Sequence, residues 1–136
     1  MATFKLAVAD AKNGKTYPRE IKDNAAKMFL GLNIGESIKG EEIGLPGYEL
    51  IITGGSDYCG FPMRRGILGQ RKKITIAGGV GFRSADEKGI KKSKTVCGHK
   101  IHDKISQINL KVTKEGPKSI IELFGIQEKK ETEAKA

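Results

Sequence analysis

"YELIITGGSDYCGFPMRRGI" (residues 48–67) is the stretch that decides how this chain folds. Its first part, Tyr48 to Thr53, reads as a buried strand built on Leu50, Ile51 and Ile52. Gly54 and Gly55 close that strand in this reading and let the chain turn sharply, and Asp57 ties the turn through nearby backbone amides. Gly60, Phe61 and Pro62 lead back toward the core. Arg64 and Arg65 are therefore aimed outward from a rigid support.

The same alternation of short apolar runs and turn residues continues on both sides. "TFKLAVA" (3–9) sets Phe4, Leu6 and Val8 on one face and Lys5 on the other. Asn13-Gly14 is a dipeptide favoured in two-residue hairpin turns, and "KTYPREI" (15–21) is expected to pair back. Pro18 cannot donate to a ladder, so that strand is expected at an edge or a bend. "DNAAKMFLG" (23–31) reads as a short helix capped by Asp23 or Asn24 and stopped near Gly31. Residues 33–47 have a turn signal every few positions, which predicts a loop with one brief strand.

Toward the C-terminus, "RKKITIAGG" (71–79) predicts a strand with Ile74 and Ile76 inward and Lys73 and Thr75 outward. Gly78 to Lys94 has little apolar content and reads as a long charged loop. "TVCGHKI" (95–101) and "ISQINLKVT" (105–113) read as strands, the latter with Ile108, Leu110 and Val112 on one face. "PKSIIELFG" (117–125) predicts a short helix from Pro117, and residues 126–136 are expected to be disordered.

With 136 residues, 18 glycines and 4 prolines, the chain has room for one core and many turns. The fold expected is mainly β: a single-domain β-barrel over residues 1–125, with about six or seven short strands and one or two short helices. No apolar run is long enough to span a membrane, and the first residues lack a signal-peptide layout. Two distant cysteines give no disulfide framework, so a reduced, cytoplasmic protein is expected.

Charge narrows the function. The net is +9, and its distribution is uneven. Residues 61–104 hold twelve basic side chains: Arg64, Arg65, Arg71, Lys72, Lys73, Arg83, Lys88, Lys91, Lys92, Lys94, Lys100 and Lys104. Against these stand Asp86, Glu87 and Asp103, a local net of +9, while the remainder balances at thirteen of each sign. Concentrated like charges repel one another unless a polyanion offsets them. RNA is the expected partner, and these twelve residues are the candidate contacts.

Other chemistries find little support. "GGVGF" (78–82) follows a predicted strand but has no Gly-Lys-Ser/Thr and no following helix, which argues against a nucleotide loop. Cys97, His99 and His102, with Cys59 far upstream, lack the close ligand pairs of a structural zinc site. On a strand, positions 97 and 99 would share a face and 102 would point away. Ser56 and Asp57 have no neighbouring base and no nucleophile-elbow pattern. No catalytic residues, metal or cofactor are assigned. Tyr58, Phe61 and Phe82 could stack on unpaired bases where exposed.

"ITGGSDYCGFPM" (52–63) resembles the signature of the S6e family of small-subunit ribosomal proteins of archaea and eukaryotes. Gly54, Gly55, Asp57, Gly60, Pro62 and Met63 fall in register with it, together with Ile52 and Thr53. "PMRRGIL", "KKSKTVCGHKI" (with Ser93 and Gly98) and "INLKVTKEGPKSI" extend the resemblance to about residues 2–125. It implies a β-barrel body and a non-catalytic structural role in the cytoplasmic small subunit. The implied partners are ribosomal RNA and neighbouring ribosomal proteins, with no membrane and no small-molecule substrate. Eukaryotic members continue into a long basic helix ending in phosphorylated serines. No serine follows Ser119 here, so that regulation does not carry over and the short form resembles archaeal members.

Overall fold

A computed structural model describes residues 3–83 and 89–124. It contains seven strands: β1 (Thr3–Asp10), β2 (Lys15–Lys22), β3 (Ser37–Lys39), β4 (Glu49–Asp57), β5 (Arg71–Ile76), β6 (Lys92–Cys97) and β7 (Ile105–Lys114). One helix, α1 (Asp23–Phe29), follows β2, and a 3-10 turn spans Gly40–Ile43. The chain is helical again over residues 120–124. The expected disordered tail, 126–136, and the candidate contact Lys88 lie outside the described residues.

The period-2 pattern of β1 buries Phe4, Leu6 and Val8 and pairs the strand with β2 from Thr3↔Lys22 to Asp10↔Lys15. The connecting loop has four residues rather than two. Asp10 accepts from the Lys12 amide (3.0 Å) and the Asn13 side chain (2.8 Å), and Gly14 alone supplies the positive φ (65°). Pro18 lies opposite Ala7 on an edge strand, where its missing donor costs no ladder bond.

Strands order as β2-β1-β7-β4-β3, with β1 and β7 parallel at the centre and the other pairs antiparallel. β5 and β6 form a separate two-stranded ribbon. The expected barrel is not met among the described residues. β2 and β3 each pair with one neighbour, β3 has three residues, and the ribbon strands pair with each other. No ladder joins the two edges among the described residues.

α1 buries Ala26 and Phe29 against the sheet. The expected Asp23 or Asn24 cap is absent: Lys22 precedes the first turn, no side chain caps it, and Asp23 takes φ of 55°. Phe4, Leu6, Leu50, Ile52, Ile108 and Leu110 form the centre of the core and are at most 1% exposed. Each contributes about 1.5–3 kcal/mol through burial.

Three expectations about the strands need correction. The strand read over 95–101 ends at Cys97. β4 does not end at Gly54-Gly55. It continues through both glycines to Asp57, paired with β7, with register shifts between Ile52 and Gly54 and between Ser56 and Asp57. A Cβ on Gly55 would collide with the Gln107 carbonyl and press on Met63 Sδ, so this glycine serves close packing rather than a turn. The loop after β5 is also shorter than read. Lys92 already pairs with Ile76, because Val96 and Cys97 anchor β6 in the interior.

Candidate nucleic-acid interface

The turn that follows β4 is organised by one carboxylate. Asp57 Oδ1 accepts the amides of Cys59 (2.9 Å) and Phe61 (3.0 Å), and Oδ2 accepts Arg71 Nε (3.1 Å) and Nη2 (2.6 Å). The residue is 3% exposed, so these four donors replace its water. Burial alone would raise the Asp57 carboxyl. The Arg71 guanidinium and the Phe61 and Cys59 amides outweigh it and hold the carboxyl below its ordinary range. Arg71 in turn lies 4.7 Å from the Phe61 ring centroid and 5.5 Å from that of Tyr58.

Beyond the turn, residues 62–64 join the sheet to the ribbon. The Met63 amide donates to Gly55 of β4 (2.8 Å), the Arg64 amide donates to Cys97 of β6 (3.1 Å), and the Cys97 amide donates to Pro62 (2.8 Å). Met63 itself is buried. All six residues of the glycine-rich signature therefore lie in or beside this junction. Gly98 also packs closely here, against the Gly69 carbonyl.

The basic residues separate into groups. Arg64 Nη1 donates to the carbonyls of Gly78 (3.2 Å) and Val80 (2.8 Å), clasping the glycine loop that covers Val96. Arg65 is exposed, and its guanidinium lies against Gly35. Arg71 is tied to Asp57. Lys72 and Lys73 on β5, and Lys92 and Lys94 on β6, are all exposed. Ladder pairing places Lys72, Lys92 and Lys94 on the ribbon face of Ile76 and Val96, with Lys73 on the other.

Arg83, Lys91, Lys100 and Lys104 are exposed in connecting segments. Among the described residues, Arg71 alone of these cations has a carboxylate within salt-bridge distance. The others, apart from half-buried Arg64, are exposed and have no carboxylate within that distance among the described residues.

The cysteines and histidines do not converge on a metal site. Cys97 is buried, with Sγ donating to the Gln70 carbonyl (3.1 Å) and lying 3.4 Å from His102 Nε2. His99 Nδ1 instead lies 2.6 Å from the Ile67 carbonyl, and Cys59 is exposed. Strand alternation does not extend past Cys97 because β6 ends there, which is why 102, and not 99, meets 97. No cluster of three or more potential metal ligands occurs among the described residues.

Sequence reading missed the Asp57–Arg71 pair; of the three aromatics it named for stacking where exposed, Tyr58 is 64% exposed and Phe61 and Phe82 are partly buried. No local signal gives that pair, since it depends on where β5 passes the turn. No helix among the described residues is long and apolar enough to cross a membrane.

Comparison with known proteins places this arrangement in context. The family described as Ribosomal protein S6e matches residues 4–125. A small ribosomal subunit protein eS6 of Methanocella arvoryzae is 45% identical over 132 residues, covering 96% of this chain and 92% of the relative. The protein of the same description from Methanosphaera stadtmanae is 44% identical, covering 96% and 98%. That from Halobacterium salinarum is 40% identical, covering 92% and 95%.

Proposed function

We infer the function from one premise: the chain belongs to the S6e family of ribosomal proteins. It is a structural constituent of the small ribosomal subunit and works in the cytoplasm. It docks on ribosomal RNA beside neighbouring ribosomal proteins, without catalysis, cofactor or small-molecule substrate. The observation that carries this reading is the family match across residues 4–125, matched by relatives of nearly equal length named small ribosomal subunit protein eS6.

The physical arrangement supports it. Phosphates offset the mutual repulsion of the cations on the ribbon and its flanking segments. Contacts of this kind fix position and orientation more than they read sequence. In this reading Lys72, Lys73, Lys92, Lys94 and Arg65 reach the backbone, joined by Arg83, Lys88, Lys91, Lys100 and Lys104. Arg64 acts mainly from within, holding the glycine loop, while Arg71 holds the Asp57 turn from a side chain still partly open to solvent.

Gradient sedimentation of a native lysate, with the chain followed by mass spectrometry before and after a high-salt wash, tests the reading. One copy retained per small subunit is expected. Release into the light fractions would mark a transient RNA-binding accessory factor instead.

A further inference from the structure

We propose that the depression beside Tyr58 is a docking site for one unpaired nucleotide, with its base stacked on the Tyr58 ring and its phosphate held by Lys104 and Arg71. The proposal rests on the RNA-binding reading above and assigns a subsite within it. A shallow space of about 100 Å³ is lined by Asp57, Tyr58, Gln70, Arg71, His102 and Lys104.

Three features give it a ligand's chemistry. Tyr58 is 64% exposed yet its backbone is fixed, its amide donating to the Lys104 carbonyl (3.1 Å). An aromatic ring so exposed offers a flat face on which any base stacks. Arg71 lies against that ring, and its fork is oriented by Asp57, which takes Nε–H and one Nη2–H. Arg71 borders the depression, and Lys104 adds an exposed ammonium. The carboxylate that would repel a phosphate is buried and already neutralised by Arg71.

His102 completes the wall, its Nδ1 accepting the Lys104 amide (3.2 Å) and its Nε2 lying 3.4 Å from Cys97 Sγ. An acidic peptide would satisfy the cations but leave the open ring face uncovered. A nucleotide satisfies both.

The test uses the full chain with pentaadenylate and with an abasic pentamer of the same backbone charge. The chain has no tryptophan, and of its tyrosines Tyr48 is buried and Tyr17 half-buried, so quenching of tyrosine emission reports Tyr58. Pentaadenylate is expected to quench and the abasic pentamer to bind weakly without quenching. Tyr58→Ala should weaken pentaadenylate binding about 5- to 100-fold, and Tyr58→Phe should keep it.

Equal binding by wild type and Tyr58→Ala overturns the subsite and leaves the broader reading standing. Failure of wild type to bind either pentamer overturns both. In irradiated small subunits, the Tyr58 peptide should carry a nucleotide adduct. A Tyr58 peptide without one, or joined to another protein, also overturns the proposal.

Discussion

Asp57 and Arg71, 14 residues apart, meet through two hydrogen bonds to a single carboxylate oxygen, 3.1 Å from Nε and 2.6 Å from Nη2. The pair locks the turn after β4 to the first residue of β5. The ribbon that carries Lys72, Lys73, Lys92 and Lys94 is thereby oriented on the main sheet.

Removing this carboxylate leaves the Cys59 and Phe61 amides and the guanidinium without their acceptor. Asp57→Ala is expected to destabilise the fold by about 2–3 kcal/mol, below the range for a fully buried pair because Arg71 remains partly in water. Urea unfolding checks this. A loss under about 0.5 kcal/mol would show the turn to be held by its backbone alone.

The same pair sets an acid response. Burial raises the Asp57 carboxyl, but the Arg71 bond and the two amide bonds outweigh it, so the folded group titrates below its ordinary 3.8. The unfolded chain then binds more protons across the interval between the two values, and stability rises with pH there. The contribution is complete above the unfolded value and is lost as pH falls from about 3.8 through the folded one. Asp57→Asn should flatten that part of the stability–pH curve, and an unchanged slope would contradict the assignment.

Adjacent glycines should respond differently to alanine. A Cβ on Gly54 meets nothing within 4 Å, whereas one on Gly55 meets the Gln107 carbonyl and Met63 Sδ. Gly54→Ala is expected to change stability by less than about 0.5 kcal/mol and Gly55→Ala to cost about 2 kcal/mol. Comparable thermal melting of the two variants would contradict the packing described at the junction.

Sequence carried the strands well where one face is buried. Phe4, Leu6 and Val8, and Ile108 and Leu110, alternate because each strand has a single core face. Pro18 marked an edge for a reason intrinsic to its ring. Closure was not legible, because whether two edges meet depends on how far each strand extends, and β3 has only three residues. The glycines misled for a related reason. A glycine that permits a turn and one that admits a neighbour's carbonyl look alike in sequence, and only the approach of Gln107 separates them. The cluster of basic residues was legible as composition. That Arg64 and Arg71 are tied to the scaffold was not, since their partners, Gly78, Val80 and Asp57, are set by tertiary packing.

The two thiols should differ sharply in reactivity. Burial, then the nearby Asp57 charge, pushes the Cys97 thiol up, while Cys59 is exposed. One equivalent of an aromatic disulfide reagent is expected to react quickly with the native chain and the second only on unfolding. Rapid reaction of both would contradict the buried end of β6.

The salt dependence of binding to small-subunit ribosomal RNA shows whether the ribbon lysines contact RNA phosphates. Lys72, Lys73, Lys92 and Lys94 are exposed, so replacing all four by alanine should leave the melting temperature nearly unchanged. Each phosphate contact contributes about 0.7–0.9 to the slope of log K against log salt, so the variant should show a slope shallower by about 3. An unchanged slope with an intact fold would contradict those contacts.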